Sequence, residues 1–274
     1  MSSRRHFKFR LTRKQKQRLT TVIILALFVA GGFWFLKHPL PKEHERIPFL
    51  HGTPKITIVI DDIGFHDKYK SQLAALGSKV TYAILPLLPC SRYFGQLSKK
   101  THAEVILHLP LDTMTDVVPG PGLIVDTMSD GDIRELLGRD LASVPNHVGV
   151  NNHCGSRGTA DRRLMTVILT ELKSRGLFFL DSYTTRDSVV PEIARQIGIP
   201  FLQRGIFLDN ADSKDAILAQ IGNLEKVASE KGSAVAIGHY RKNTLEVLAK
   251  EIPRLESRGF KIISLRKLLR AQQD

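Results

Sequence analysis

The chain has 274 residues, 42% of them hydrophobic, and a formal net charge of +13. That much apolar material suits one large domain or two small ones and excludes intrinsic disorder. Spread evenly, the charge would suggest a nucleic-acid partner, but eight Lys and Arg precede Thr20 and the first acid is Glu43, which leaves +5 of the +13 for everything after.

Residues 1–19 therefore form a basic tail, carrying Arg4, Arg5, Lys8, Arg10, Arg13, Lys14, Lys16 and Arg18. Residues 20–36 (TTVIILALFVAGGFWFL) have no charge at all. A basic tail followed by an apolar run is the order of a signal anchor, so this segment is predicted to cross the inner membrane with the rest of the chain on the extracytoplasmic side. At 17 residues it is near the lower limit for spanning, and Trp34 and Phe35 stand where an interfacial aromatic belt would lie. The competing reading is a signal peptide cut after Ala30, Gly31 and Gly32, which would release the domain to the periplasm. Ser3-Arg4-Arg5-His6-Phe7 also has the form of a twin-arginine signal, a pattern that arises by chance before apolar runs. Because the tail adjoins an apolar segment and lacks interleaved aromatics, no nucleic-acid partner is expected.

Residues 37–54 contain Pro39, Pro41, Pro48 and Pro54 among mixed charges and read as an extended linker. The domain is expected over 55–274. There, short apolar β-branched runs alternate with helix-period segments, the pattern of βαβ units around a parallel sheet buried on both faces. Strands are predicted at 55–60, 80–85, 104–107, 148–150, 177–180, 201–208, 233–237 and 260–263. Amphipathic helices are predicted at 133–142, 162–174, 215–229 and 244–256. Ser129 with Asp132 three residues on has the form of a capping box, and Gly176, Gly232 and Gly259 sit where C-terminal caps are needed. Seven or eight such units in about 220 residues fit an α/β fold of the parallel β/α-barrel type, complete or incomplete, better than an open doubly wound sheet.

Polar residues interrupt these runs at corresponding places. Asp61-Asp62 follows KITIVI, His108 follows EVIL, Asn151-Asn152-His153 follows VGV, Asp181-Ser182 follows LFFL, Asp209 follows GIFL, and His239 follows AVAIG. In a parallel barrel all these ends converge on one face, where active sites of the architecture lie. Any one of them has an ordinary structural explanation, since Asp and Asn favour turns and helix caps, and a lone His is more often a satisfied core residue. Two adjacent carboxylates after a buried strand are costly unless a cation offsets them. Asp62 with His108 and His153 would make a facial carboxylate and two-imidazole set for a divalent metal, leaving positions open for water and substrate. His66, His102 and His147 lack this context and are expected to be solvated. Cys90 and Cys154 allow one disulfide or two buried thiols, and with no CxxC pair a cysteine-rich zinc site has no support.

The residues IVIDDIG (58–64), LHLPLD (107–112), GVNNHCGSR (149–157), FLDS (179–182), FLDN (207–210) and AIGH (236–239) resemble, in order, the motifs of the divergent polysaccharide deacetylases, over about 55–269. That resemblance implies a metal-dependent hydrolase of carbon–nitrogen bonds acting on N-acetylated sugars of an envelope or extracellular polysaccharide. It implies Asp61 as general base, Asp62 as metal ligand, His239 as general acid, and a divalent ion, zinc first. The better-known carbohydrate-esterase deacetylases take both metal-binding imidazoles from one motif with a four-residue step, but the fourth residue after His108 is Asp112. The second imidazole is then expected from His153, with Asp112 as the alternative ligand. Asp181 and Asp209 are expected to orient neighbouring side chains, and Asn152 and Arg157 to stand near substrate, although a surface Arg is the default for Arg157. The broken step also favours an alternative: a catalytically impaired carbohydrate-binding or envelope scaffold protein on the same barrel.

Overall fold

Lys55–Ile63 (KITIVIDDI) is rich in β-branched residues and forms β1, buried along nearly all its length. In the computed structural model, which describes residues 52–272 together with Lys14, β1 lies near the middle of a parallel nine-stranded sheet. The other strands are β2 (Thr81–Ile84), β3 (Glu104–Leu111), β4 (His147–Cys154), β5 (Phe178–Asp181), β6 (Phe201–Gln203), β7 (Ile206–Phe207), β8 (Ser233–His239) and β9 (Lys261–Ile262). Their order is β6-β5-β4-β3-β2-β1-β8-β7, with β9 beside β1. The sheet therefore curls into an incomplete barrel whose two edges, β6 and β7, are not paired with each other. Residues 20–36, predicted to cross the membrane, the basic tail apart from Lys14, and residues 37–51 of the predicted linker lie outside the described residues. Among the described residues no helix is long and apolar enough to cross a membrane.

Within residues 52–272 eight α-helices accompany the strands: α1 (Lys70–Leu76), α2 (Ser91–Thr101), α3 (Asp130–Ser143), α4 (Arg162–Ser174), α5 (Val190–Ile197), α6 (Lys214–Lys231), α7 (Lys242–Ser257) and α8 (Leu265–Ala271). Three of these helices have side-chain N-caps. The Ser129 hydroxyl accepts from Asp132 N, Asp161 caps α4 and Ser213 caps α6. Gly176, Gly232 and Gly259 all adopt positive φ after helices.

Two packed layers follow from the strand alternation. One face of each strand meets the helices, as with Ile56, Ile58 and Ile60 of β1 in the larger apolar cluster. The other face points inward, where Val59, Ala83, Ile106, Leu180 and Ile237 join a second cluster with Leu265, Leu268 and Leu269 of α8. The last helix thus stoppers the inside of the barrel from the end opposite the strand C-termini. Burying each of those three leucines contributes roughly 1.5–3 kcal/mol as an upper bound.

Three expectations are corrected. The single strand predicted at 201–208 is two strands on opposite edges, β6 on β5 and β7 on β8, because Arg204 and Gly205 carry the chain across the open seam. β3 and β4 run on to Leu111 and Cys154, so His108, Asn151, Asn152 and His153 lie within strands rather than after them. His147 is half-buried, with Nδ1 2.7 Å from Val144 O, rather than solvated. His66 and His102 are exposed as expected, and both cysteines are free, partly buried thiols.

Candidate metal centre

The inward alternation that places Val59, Ile106, Leu180 and Ile237 inside the barrel brings Asp61, His108, Ser182 and His239, each two residues on, to the same face at the carboxyl mouth. Parallel pairing then sets their neighbours: Asp61 stands opposite His239, and His108 opposite Asn151.

Asp62 breaks the alternation. Its φ of 63° is a left-handed conformation that a non-glycine residue adopts at a cost. The turn lets two consecutive carboxylates face the same mouth. Asp62 Oδ1 lies 3.4 Å from His108 Nε2 and 3.1 Å from His153 Nδ1, and the two ring nitrogens are 3.0 Å apart. Ligand atoms of all three residues fall within 4.8 Å of one another.

The tautomer of His108 follows from its neighbours. Its Nδ1 lies 2.9 Å from Asn151 Oδ1, while Asn151 Nδ2 donates to Asp61 Oδ1 at 3.0 Å and to Ser182 Oγ at 3.2 Å. With the amide so oriented, His108 Nδ1 must carry the proton, and Nε2 presents a lone pair to Asp62 and His153. An imidazole whose far nitrogen is tied to a fixed acceptor is the usual arrangement of a metal-binding histidine. Asp62 Oδ1 is buried yet makes no hydrogen bond of acceptable geometry, and a buried carboxylate oxygen is costly to leave so. A divalent cation among these three donors would satisfy it, so the residues present fit such an ion.

Burial raises the Asp62 pKa, but the contacts and charge of His108 and His153 outweigh it and hold the carboxyl well below the usual range. Burial likewise disfavours a charged His153, yet its contacts with Asp62 and Cys154 push it up to about 10. The two shifts are the two sides of one ion pair, in which Asp62 is held ionised beside a cationic neighbour. Asp61, only 2% exposed, is pushed up chiefly by burial, against the charges of His108 and His239.

On the other side of Asp61 stands His239. Its Nδ1 is 2.7 Å from Asp209 Oδ1, while Asp209 Oδ2 accepts from His239 N at 2.8 Å and from Thr244 Oγ1 at 2.6 Å. Burial lowers the His239 pKa, but this hydrogen bond and the charges of Asp62, Asp209 and Asp61 reverse the sign and raise it. Its ring stacks on Phe207 at 5.5 Å and 8°, and the Arg204 guanidinium covers Phe207 at 4.1 Å. Gly238 permits the close approach here, because a Cβ would meet Thr244 Cγ2 at 2.8 Å.

A model of the divergent polysaccharide deacetylase family matches residues 58–269. The chain belongs to that family. It is 36% identical over 200 residues to an uncharacterized protein of Haemophilus influenzae, covering 73% of this chain and 71% of that one. It is 31% identical over 201 residues to uncharacterized YibQ of Escherichia coli, covering 73% of this chain and 62% of that protein's length. A crystal structure of an uncharacterized protein from Agrobacterium tumefaciens C58 shares the fold, with a TM-score of 0.75 at 22% identity, over 81% of this chain and 92% of that one.

Although the four-residue step is missing, β4 places His153 beside His108, with the ring nitrogens 3.0 Å apart. Asp112, the alternative ligand, stands apart from the cluster: Oδ1 accepts from Thr113 N at 2.8 Å and Oδ2 lies 3.6 Å from Arg157 Nε. Arg157 is exposed. Asn152 ties strands together, accepting from Ser182 N and donating to Cys154 O, each at 2.8 Å. Asp181 accepts from Tyr183 N, Ser188 Oγ and Gln203 Nε2, and no histidine is among its partners. Sequence reasoning left three residues out of the site. Asn151 bridges Asp61 and His108, Ser182 Oγ accepts from it, and Arg204 donates to Ser182 O at 2.6 Å and Tyr183 O at 2.8 Å. The Asn151-Asn152 and Asp181-Ser182 pairs after apolar runs were the available signals for the first two; nothing local marks Arg204.

Proposed function

We propose that the chain is a metal-dependent hydrolase of non-peptide carbon–nitrogen bonds that deacetylates N-acetylated sugars of an envelope or extracellular polysaccharide. The observation that carries this reading is the convergence of Asp62, His108 and His153, flanked by a buried second carboxylate and by an imidazole held on a third. Asp62, His108 and His153 are the residues that would hold a divalent ion, zinc first. When bound there it supplies Lewis acidity toward the amide carbonyl and lowers the pKa of water.

The chain's own residues do the proton work. Asp61, with its pKa raised by burial and oriented by Asn151, accepts the proton of the attacking water. His239 has Nδ1 committed to Asp209, so Nε2 is the nitrogen left to protonate the leaving group, and the upward shift of its pKa favours the protonated form that an acid needs. Residues 20–36 are proposed to anchor the domain in the inner membrane on the extracytoplasmic side, or to direct it to the periplasm if cleaved.

The test is acetate release from a β-1,4-linked N-acetylglucosamine oligomer, with and without chelator, followed by zinc add-back. Release that chelation stops, zinc restores and Asp61→Asn abolishes supports the reading, and deletion of residues 1–36 should leave it intact. Oligomer binding that Asp61→Asn leaves unchanged, with no acetate from wild type under any metal, would replace it with the scaffold alternative.

A further inference from the structure

Eight large apolar side chains are exposed among the described residues: Phe65, Leu87, Tyr93, Met114, Val117, Val118, Tyr183 and Leu218. Apart from Leu218, in the second turn of α6, every one lies in a connection leaving a strand C-terminus or in the first turn of the helix that follows. Phe65 follows β1, Leu87 and Tyr93 follow β2, Met114, Val117 and Val118 follow β3, and Tyr183 follows β5. Scattered exposed apolar residues need no explanation, but their concentration around one end of a barrel does.

Two of these residues are also held in costly backbone conformations. Leu87 has φ of 56° and Tyr183 of 50°, a left-handed geometry that bulky residues seldom adopt. Each is pinned there: Leu87 N donates to Ser143 Oγ at 3.1 Å, and Tyr183 is fastened by its N to Asp181 Oδ1 and by its O to Arg204, both at 2.8 Å. At both positions a left-handed backbone coincides with an apolar side chain exposed to water, a coincidence that points to function. The loop bearing Met114, Val117 and Val118 is equally fixed. Its ends meet where Asp112 N donates to Ile124 O, and Met114 N donates to Ser156 Oγ at 2.9 Å, three residues past His153.

We infer that this rim is where the substrate chain is held on either side of the reacting sugar, with Phe65 and Tyr183 stacking on pyranose faces; this rests on the proposed deacetylase reading. The order of strands puts Phe65 and Tyr183 on connections four strands apart, with the Asp62, His108 and His153 strands between or beside them. An apolar surface interrupted by carboxylates and imidazoles matches a sugar chain, whose C–H faces alternate with hydroxyl edges, better than a continuous protein or lipid surface.

The test is calorimetric titration of the full-length zinc-loaded protein with N-acetylglucosamine and with its β-1,4-linked hexamer. Hexamer binding should weaken about tenfold in Phe65→Ala and in Tyr183→Ala, while monomer binding, zinc content and the Leu218→Ala control stay at wild-type values. Equal hexamer affinity in wild type and both rim variants overturns the inference, as does no hexamer binding by wild type. Binding is read without turnover, so a protein that binds the hexamer through the rim yet releases no acetate retains the inference while removing the deacetylase reading.

Discussion

His153 Nδ1 and His108 Nε2 stand 3.0 Å apart, delivered by neighbouring strands whose register sets His153 opposite Pro110. Because Asn151 holds the His108 proton on Nδ1, the nitrogen facing His153 is an acceptor, and its lone pair is available to His153 or to a cation held by both rings and Asp62. Zinc titrated against a chelating dye should bind wild type with one equivalent. His108→Ala and His153→Ala should each weaken it by at least about a hundredfold, and Asn151→Ala, which frees the ring of His108, by about 10–100-fold. Equal affinity in wild type and His153→Ala would remove the proposed centre.

Asp61→Asn preserves the shape of a residue that touches His108 at 3.5 Å without being one of the three clustered donors. The variant should therefore keep its zinc while kcat falls about 10²–10⁴-fold, the range for losing a general base. Parallel measurement of metal content and acetate release checks it; a variant that loses zinc and activity together would make Asp61 a ligand instead.

The fold was legible where local chemistry repeats along the chain. Short apolar β-branched runs ending in Asp61, His108 and His239 reveal both the parallel strands and the face on which they converge. Ser129 caps its helix as its spacing to Asp132 predicts, since a side-chain oxygen three residues before a free N–H acts regardless of tertiary context; Asp161 and Ser213, not singled out in the sequence, cap by the same chemistry. What escaped depends on which strands become neighbours. That β6 and β7 form opposite edges is set by closure of the curled sheet, to which the run 201–208 gives no clue. Asn151 matters only because β4 lies beside β3, and the short, basic LRKLLRA of α8 gives no sign that Leu265, Leu268 and Leu269 close the barrel from below. Asp140, between Arg139 and Leu141, reads as part of a helix's wet face and is wholly buried.

The His239 pKa is raised despite burial because Asp209 binds its Nδ1. A general acid of this kind keeps its proton to a higher pH, so the alkaline limb of kcat/KM should fall above 6.5. Asp209→Asn removes the stabilising charge and should move that limb toward lower pH, with kcat reduced more than KM is changed. The dyad also adds stability that is fully present below the unfolded value of 6.5 and is lost as pH rises through the folded one. A pH–rate profile of the two proteins decides it; superimposable alkaline limbs would exclude His239 as the acid.

Asp140 on α3 is fully buried beneath Gly122, whose Cβ would lie 2.5 Å from the carboxylate, and both its oxygens lack hydrogen-bond partners. Burial pushes its pKa up to about 8, against a small opposing effect of Arg139. In the unfolded chain the group ionises from about 3.8, so between these values the folded state binds the extra proton and stability falls as pH rises, by a few kcal/mol across the window. Asp140→Asn cannot ionise and should be spared that loss. Its melting temperature should therefore gain on wild type steadily from pH 5 to pH 8, with zinc affinity unchanged because Asp140 is not one of the clustered donors. A constant difference between the two proteins over that range would mean that Asp140 is already ionised, with a partner found in solution.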